Sequence, residues 1–263
     1  MQVITSKDNE TIKKIRKLKD KKYRDLENVY VVEGIRLVEE AINEKVNIKQ
    51  IIVCDECEEA MQLAIDRKYE IAKYECIYVT KKIFSLLTDV ISPQGMMAVI
   101  EKCKKSTEVD ISKDIIIALD GIQDPGNLGT ILRTIDSANL GQIIISKDTV
   151  DCYNPKVIRS TMGAIFRLNI IESSDLKETL LKLKKNKYKI MVTSLKATKT
   201  IYEEDFNKKI IVIGNEANGV SKQIIDISDT KVIIPMLGKT ESLNASVACG
   251  VMIYEYVRRK FAK

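Results

Sequence analysis

Short apolar runs and segments of helical periodicity take turns along the first hundred residues, at 29–32, 35–42, 51–54, 60–65, 77–79, 83–87 and 97–100. Continuous apolar runs read as buried strands, and apolar positions three or four apart read as helices. Their alternation predicts an α/β layer structure. Residues 102–114 form a polar stretch without a period, and a domain boundary is expected there. The organisation implied is a first domain over 1–102, a linker over 103–113 and a second domain over 114–263. Beyond the boundary the pattern predicts six further strands, three of them at 115–119, 210–213 and 232–234. A last helix is expected over about 243–261, carrying Val247, Val251, Tyr254 and Val257.

Length agrees with two domains: the chain has 263 residues, and single cores stop growing near ~250 to 300. No stretch approaches the ~18 to 20 apolar residues that span a bilayer, and Met1-Gln-Val-Ile-Thr-Ser lacks the features of a signal peptide. A soluble, cytoplasmic protein with no membrane partner is expected. The six cysteines (Cys54, Cys57, Cys76, Cys103, Cys152, Cys249) are expected as reduced thiols packed like small apolar residues. Cys54 and Cys57 have CxxC spacing, but the chain has no second such pair and no histidine, so no metal is expected. The missing histidine also excludes Ser-His-Asp and Cys-His catalysis.

Charge is concentrated. Residues 7–24 hold nine Lys or Arg (Lys7, Lys13, Lys14, Arg16, Lys17, Lys19, Lys21, Lys22, Arg24) against Asp8, Glu10 and Asp20, a surplus equal to the +6 of the whole chain. Ile12, Ile15 and Leu18 recur at helical spacing inside the run, with Ser6 as a candidate N-cap. Two readings fit: a solvated basic face of an amphipathic helix, or an electrostatic footprint for phosphates.

Three segments of the second half carry the chemistry: Asp124-Pro-Gly-Asn127-Leu-Gly129-Thr-Ile-Leu-Arg133, Gly214-Asn-Glu216-Ala-Asn-Gly219, and Ile234-Pro235 leading to Ser242-Leu-Asn244-Ala-Ser246. Each follows an expected strand, and in open α/β sheets ligands sit beyond the carboxyl ends of strands. The three loops therefore point at one place. No Gly-x-Gly-x-x-Gly follows a strand, so a dinucleotide-type loop is absent. Taken alone, Pro125-Gly126-Asn127 reads as a turn, Glu216 as a helix N-terminal carboxylate and Ser242 as an N-cap.

Together, in this order, the segments resemble the three motifs of the SpoU/TrmH family of RNA ribose 2′-O-methyltransferases, within the SPOUT superfamily. The likeness covers about 106–263, with Ala245 standing where the family commonly has valine. Residues 1–102 are similar, by order of elements and by the turn at Glu33-Gly34, to the L30e-like substrate-binding domain that precedes the catalytic domain in rRNA-modifying members. The fold implied is α/β, an L30e-like domain followed by a SPOUT domain with a C-terminal trefoil knot. The cofactor implied is S-adenosylmethionine, held by backbone groups at Gly214, Ile234 and Leu243. The catalytic positions implied are Arg133, Asn127, Glu216 and Asn244.

In the family the matching arginine acts on the 2′-hydroxyl. A guanidinium stays protonated, so its better role is to hold phosphate or a developing alkoxide. Lying four residues after Gly129, Arg133 is expected one turn into the helix that opens at the motif loop. Asn127 and Asn244 suit orientation of the ribose and of Arg133, and Glu216 suits a two-pronged contact with that arginine or a bond to a ribose hydroxyl. With RNA as the implied partner, Lys13, Lys14, Arg16 and Lys17 become its candidate contacts. The resemblance also implies a homodimer, with active sites formed at the knotted interface. The activity expected is 2′-O-methylation of RNA, 23S rRNA first. The alternatives are a tRNA ribose methyltransferase, a non-catalytic RNA-binding or ribosome-assembly protein, and an enzyme shielding rRNA from an antibiotic.

Overall fold

In the computed structural model, which describes residues 3–102 and 108–262, the chain divides into two units. One comprises Met1–Lys104 with Tyr153–Phe166, the other Lys105–Cys152 with Arg167–Lys263.

The first unit is built on strands β1 (Val3–Ile4), β2 (Val29–Glu33), β3 (Ile48–Cys54), β4 (Glu75–Val79) and β5 (Met96–Glu101), in the order β1-β4-β3-β5-β2. β5 runs antiparallel to β2 and β3, whereas β1, β4 and β3 are parallel. Edge strand β2 alternates buried and half-buried residues, while central β3 is buried at all but one position. The first is the pattern of a sheet edge and the second that of a strand covered on both faces. Helices α1 (Glu10–Lys17), α2 (Lys21–Glu27), α3 (Ile35–Asn43), α4 (Glu58–Asp66), α5 (Lys68–Ile71) and α6 (Lys81–Leu87) surround the sheet, joined by α8 (Pro155–Thr161) from the second half of the chain. Gly34 links β2 to α3 at φ +108°, a left-handed conformation that side chains rarely adopt.

The stripe expected on α1 is buried as Ile12, Ile15 and Leu18. Its cap differs from expectation. Asn9 Oδ1 accepts from the Thr11 and Ile12 amides at 2.9 and 3.3 Å, whereas Ser6 Oγ takes the Asp8 amide outside the helix. Asparagine placed next to the first helical turn outcompetes a hydroxyl three residues further out.

The second unit contains β6 (Ile115–Asp120), β7 (Gln142–Ser146), β8 (Asn169–Ser173), β9 (Lys189–Thr193), β10 (Lys199–Thr200), β11 (Lys209–Gly214) and β12 (Thr230–Ile233). Their order is β10-β12-β9-β11-β6-β7-β8, with every pairing parallel. The strand beyond the expected six is the two-residue edge β10, too short to leave a periodic signal. β7 and β11 are buried at every position, so their apolar runs are unbroken. The helices are α7 (Pro125–Ser137), α9 (Leu176–Lys185), α10 (Lys222–Ile225) and α11 (Ala245–Phe261). Within the expected linker, 103–107 lie outside the described residues. Asp110 exchanges two 2.8 Å hydrogen bonds with the Gln142 side chain, and the Tyr188 hydroxyl donates to the Lys113 carbonyl at 2.6 Å.

Helix α11 buries Ser246, Cys249, Met252, Ile253 and Glu255. Of the apolar residues expected along it, Val247 and Tyr254 are each 50% exposed. Near its end, Glu255 accepts from Arg258 Nε and Nη2 at 2.8 and 2.9 Å and from Arg259 Nε at 2.6 Å. The Arg258 hydrogen bonds, ahead of the opposing effect of burial, hold this carboxyl at about 2, against an ordinary 4.5. A carboxyl depressed in the folded state contributes stability fully above its unfolded value and loses it as pH falls through the folded one. Glu255→Gln is therefore expected to destabilise the protein by about 1–3 kcal/mol at pH 7. In urea titrations the difference from the parent protein should shrink between pH 4.5 and 2.

Of the cysteines, Cys54, Cys152 and Cys249 are buried, and all those among the described residues are free thiols; Cys103 lies outside the described residues. Burial pushes the Cys249 thiol up to about 12. Among the described residues no group of three His, Cys, Asp or Glu is placed to hold a metal, and no helix is long and apolar enough to cross a membrane.

Candidate active site

The three motif loops leave β6, β11 and β12 at their carboxyl ends. The first is the start of helix α7 rather than a turn, because Pro125 has its φ preset at the first helical position and needs no amide partner. Asp124 caps the helix, its Oδ1 accepting from the Asn127 amide at 2.8 Å. The buried Asn127 is thereby fixed in the first turn of α7.

The second loop folds back on itself, Asn215 and Gly219 bonding each other through both backbone groups at 2.9 and 3.0 Å. Gly214 makes that return possible, since a Cβ there would lie 2.1 Å from the Gly219 carbonyl carbon and the Val220 nitrogen. The loop is tied to the first by Asn215 Nδ2 donating to the Gly121 carbonyl at 2.8 Å and by the Ser221 amide donating to Asp120 Oδ2 at 2.7 Å.

Glu216 at the tip of this return accepts three bonds: from the Gln123 amide at 3.1 Å, the Asp124 amide at 3.2 Å and Asn127 Nδ2 at 2.9 Å. Burial raises its pKa, yet these donors, Asn127 foremost, outweigh it and hold the carboxyl below the ordinary range. Asn127 Oδ1 in turn accepts from Asn244 Nδ2 at 2.8 Å. Asn244 caps α11, its Oδ1 taking the Ser246 amide at 2.9 Å, the Ser246 hydroxyl at 2.6 Å and the Val247 amide at 3.3 Å. The cap sets the polarity of the whole chain of hydrogen bonds. With Asn244 Oδ1 committed to helix donors, its NH2 must face Asn127 Oδ1, and the Asn127 NH2 must face the carboxylate.

Asn127, Glu216 and Asn244 are thus brought together, one from each loop. Two sequence expectations are corrected here. Glu216 forms no ion pair with Arg133, because the loop amides and Asn127 occupy its oxygens; and Asn244, not Ser242, is the N-cap, since it immediately precedes the helix. Arg133 is placed apart as well. The helix opens at Pro125, so Arg133 sits in its third turn rather than its second, six residues beyond Asn127 and about 9 Å further along the axis. It is exposed, and among the described residues no hydrogen bond or ion pair holds it. Asp124, Asn215 and Ser246, within the three motif segments but given no role by the sequence, complete the network with Gln123, which lies just outside them; Asp-Pro before an apolar period is the helix-start signal for the first loop.

The third loop suits a ligand that reads main chain. Ile234 and Leu243 are half-buried, and among the described residues no hydrogen bond engages the main chain of 235–243. A nucleoside sulfonium such as S-adenosylmethionine, whose adenine needs backbone donors and acceptors between apolar walls, fits those uncommitted groups.

In the first unit the basic run divides into engaged and free cations. Lys13 pairs with Glu10 at 3.0 Å and Lys19 with Asp89 at 2.6 Å, while Arg24 is buried and donates to the Leu18 and Lys19 carbonyls. Lys14, Arg16 and Lys17 are exposed and form no ion pair among the described residues, although the Glu10 charge acts on Lys14 and Lys17 from a distance. Among the four candidate contacts Lys13 is therefore the weakest, its charge already offset.

Comparison with known proteins finds relatives over both units. Residues 114–254 match the SpoU rRNA Methylase family, and residues 9–98 match an MRM3-like substrate binding domain. The chain is 31% identical over 255 residues to the 23S rRNA (guanosine(2553)-2′-O)-methyltransferase RlmP of Bacillus subtilis, covering 97% of this chain and 98% of that protein. It is similar to the AdoMet-bound rRNA methyltransferase of Sinorhizobium meliloti at a TM-score of 0.82, with 27% identity and 98% of each chain covered. The TrmH/SpoU tRNA modifying enzyme of A. aeolicus is 30% identical, at a TM-score of 0.51 over 57% of this chain and 77% of that one. With more than half of its length matched to one family model and a relative of this identity spanning nearly all of it, the chain belongs to the SpoU rRNA methylase family.

Proposed function

We propose that this protein transfers a methyl group from S-adenosylmethionine to a ribose 2′-hydroxyl of 23S rRNA, in the cytoplasm and as a homodimer. The observation that carries the reading is the Glu216–Asn127–Asn244 chain, which fastens three strand-end loops beside a stretch of uncommitted main chain. A tRNA substrate has less support, because the tRNA-modifying relative matches little more than half of this chain, whereas the MRM3-like domain matches 9–98.

The division of labour follows: residues 1–102 hold the RNA and 114–263 carry out the transfer. Gly214, Ile234 and Leu243 hold the cofactor, with the trefoil knot expected of the family enclosing its adenosine. When bound, that cofactor supplies an electrophilic methyl on sulfur. What the protein must add is alignment of the 2′-oxygen, which is worth up to about 7–11 kcal/mol, and stabilisation of charge on it. Arg133 is the group for the second task. With no hydrogen bond or ion pair to it among the described residues, its planar fork holds the adjoining phosphate and the developing alkoxide while the proton leaves to a phosphate oxygen or water. Asn127, Glu216 and Asn244 act as the frame that keeps the loops in register.

A second copy of the chain has a place to pack. Val247, Tyr254 and Phe261 are 50%, 50% and 87% exposed on α11, and their seven-residue spacing, about two helical turns, keeps them on one stripe of the helix.

Two measurements test the proposal. Calorimetry should detect S-adenosylmethionine binding; absence of heat at millimolar cofactor would leave only the non-catalytic reading. With tritiated cofactor and unmodified rRNA, label should appear in alkali-resistant dinucleotides, since a methylated 2′-oxygen cannot attack the phosphate. Label released as single nucleotides would place the methyl on a base and contradict the proposal.

A further inference from the structure

The basic helices of the first unit carry an aromatic ring that the chemistry of phosphate binding does not require. Tyr23, in α2, is half-buried and leans on the core formed by Ile12, Ile15 and Leu18. Two cations lie close to its ring, Lys17 Nζ at 5.4 Å and Lys22 Nζ at 6.0 Å from the centroid. One turn on, Leu26 is 72% exposed on the same helix. On the same two helices Lys14, Arg16 and Lys21 are exposed and form no ion pair among the described residues, whereas Lys13 and Lys19 are tied down by Glu10 and Asp89.

An apolar and aromatic spot with exposed lysines beside it, on a helix that also carries Asp25 and Glu27, has little to gain from duplex RNA, whose bases are stacked inside and whose surface is phosphate and sugar. It matches an unpaired nucleotide, with a π-face for the ring and a phosphate on either side for the lysines. We propose that Tyr23, with Leu26 at its edge, is a stacking platform for an unpaired base of the substrate RNA, flanked by Lys17 and Lys22 on the adjoining phosphates. The inference rests on the reading that this unit holds RNA. It adds that the unit selects single-stranded over paired segments.

The chain has no tryptophan, so Tyr23→Trp installs a lone indole reporter at the platform. Two unlabelled probes are compared, a single-stranded 12-mer RNA and a blunt duplex of the same length. The single strand should quench and shift the indole emission of the Tyr23→Trp protein, and the duplex should not. Tyr23→Leu should weaken single-strand binding by about 5- to 100-fold, the loss that goes with one stacked base, and leave the slope of log affinity against log salt unchanged. Tyr23→Phe, which keeps the ring and its packing, should bind like the parent. The triple change Lys14→Gln, Arg16→Gln, Lys17→Gln should instead flatten the slope by about 0.7 per lost contact on single strands. A flattened slope in the triple variant together with parental affinity in Tyr23→Leu, or with unmoved emission in Tyr23→Trp, overturns the platform and leaves the phosphate-binding face standing. An unchanged slope in the triple variant overturns both.

Discussion

Replacing Arg133 with alanine is expected to remove methyl transfer, by a factor of at least about 10²–10³, the usual consequence of losing a donor aimed at developing negative charge. Cofactor affinity should stay within a few-fold of the parent. The asymmetry follows from position. Arg133 lies about two helical turns past Asn127, exposed and without a protein partner among the described residues, so its loss orphans no buried group. Exposed substitutions of that kind shift stability by only about 0.5 kcal/mol. Arg133→Lys should fail as well, because one ammonium cannot span an alkoxide and a phosphate as a planar fork does. Single-turnover transfer with saturating cofactor, read beside calorimetry, separates the two effects. Substantial transfer by either variant would remove Arg133 from the chemistry.

Replacing Glu216 with glutamine is expected to impair both transfer and cofactor binding. The carboxylate accepts from the Gln123 and Asp124 amides and from Asn127 Nδ2, at 2.9 to 3.2 Å. A glutamine would turn an NH2 toward at least one of these donors. Losing a charge-assisted acceptor amounts to about 1.5–3 kcal/mol, so cofactor affinity should drop roughly 10- to 100-fold, since the loop that holds the cofactor is no longer fastened to the other two. The same network gives a pH dependence. Burial raises the Glu216 pKa but Asn127 and the loop amides pull it below its ordinary 4.5. The fastening is therefore complete above that value and is lost as pH falls through the lowered one. Cofactor affinity of the parent protein should weaken in acid, and that of Glu216→Gln should show a smaller change over the same range. Equal affinity of the two proteins at pH 7 would mean that the loops are held in place without this carboxylate.

The strands behind the three loops are legible in the sequence because parallel strands covered on both faces leave unbroken apolar runs, as 115–119 and 210–213 do. Order of elements in the first unit is legible for the same reason, helped by the glycine that the β2–α3 junction demands. The convergence of the motif residues can be anticipated as well, since strand-end loops of a parallel sheet share one side. What each residue touches cannot. Sequence chemistry favours Glu216 with Arg133, carboxylate with guanidinium, yet in the fold the carboxylate is captured by two backbone amides and an asparagine. Backbone donors carry no residue signature, so a competition they win is invisible in a string of letters. The same holds for the caps. Ser6 and Ser242 have the right chemistry, but Asn9 and Asn244 stand directly before the first helical residues and take the free amides. Nor can residue spacing divide the basic run into engaged and free charges, because Asp89, the partner of Lys19, lies seventy positions away.

Methylation of a ribose in 23S rRNA is tested most directly by mapping 2′-O-methylated positions across all rRNA and tRNA of cells with and without the protein, using resistance of the neighbouring phosphodiester to alkali. The result predicted is the loss of a single ribose methylation in 23S rRNA, restored by the parent protein and not by Arg133→Ala. A missing methyl in tRNA, or no missing ribose methyl anywhere, would contradict it.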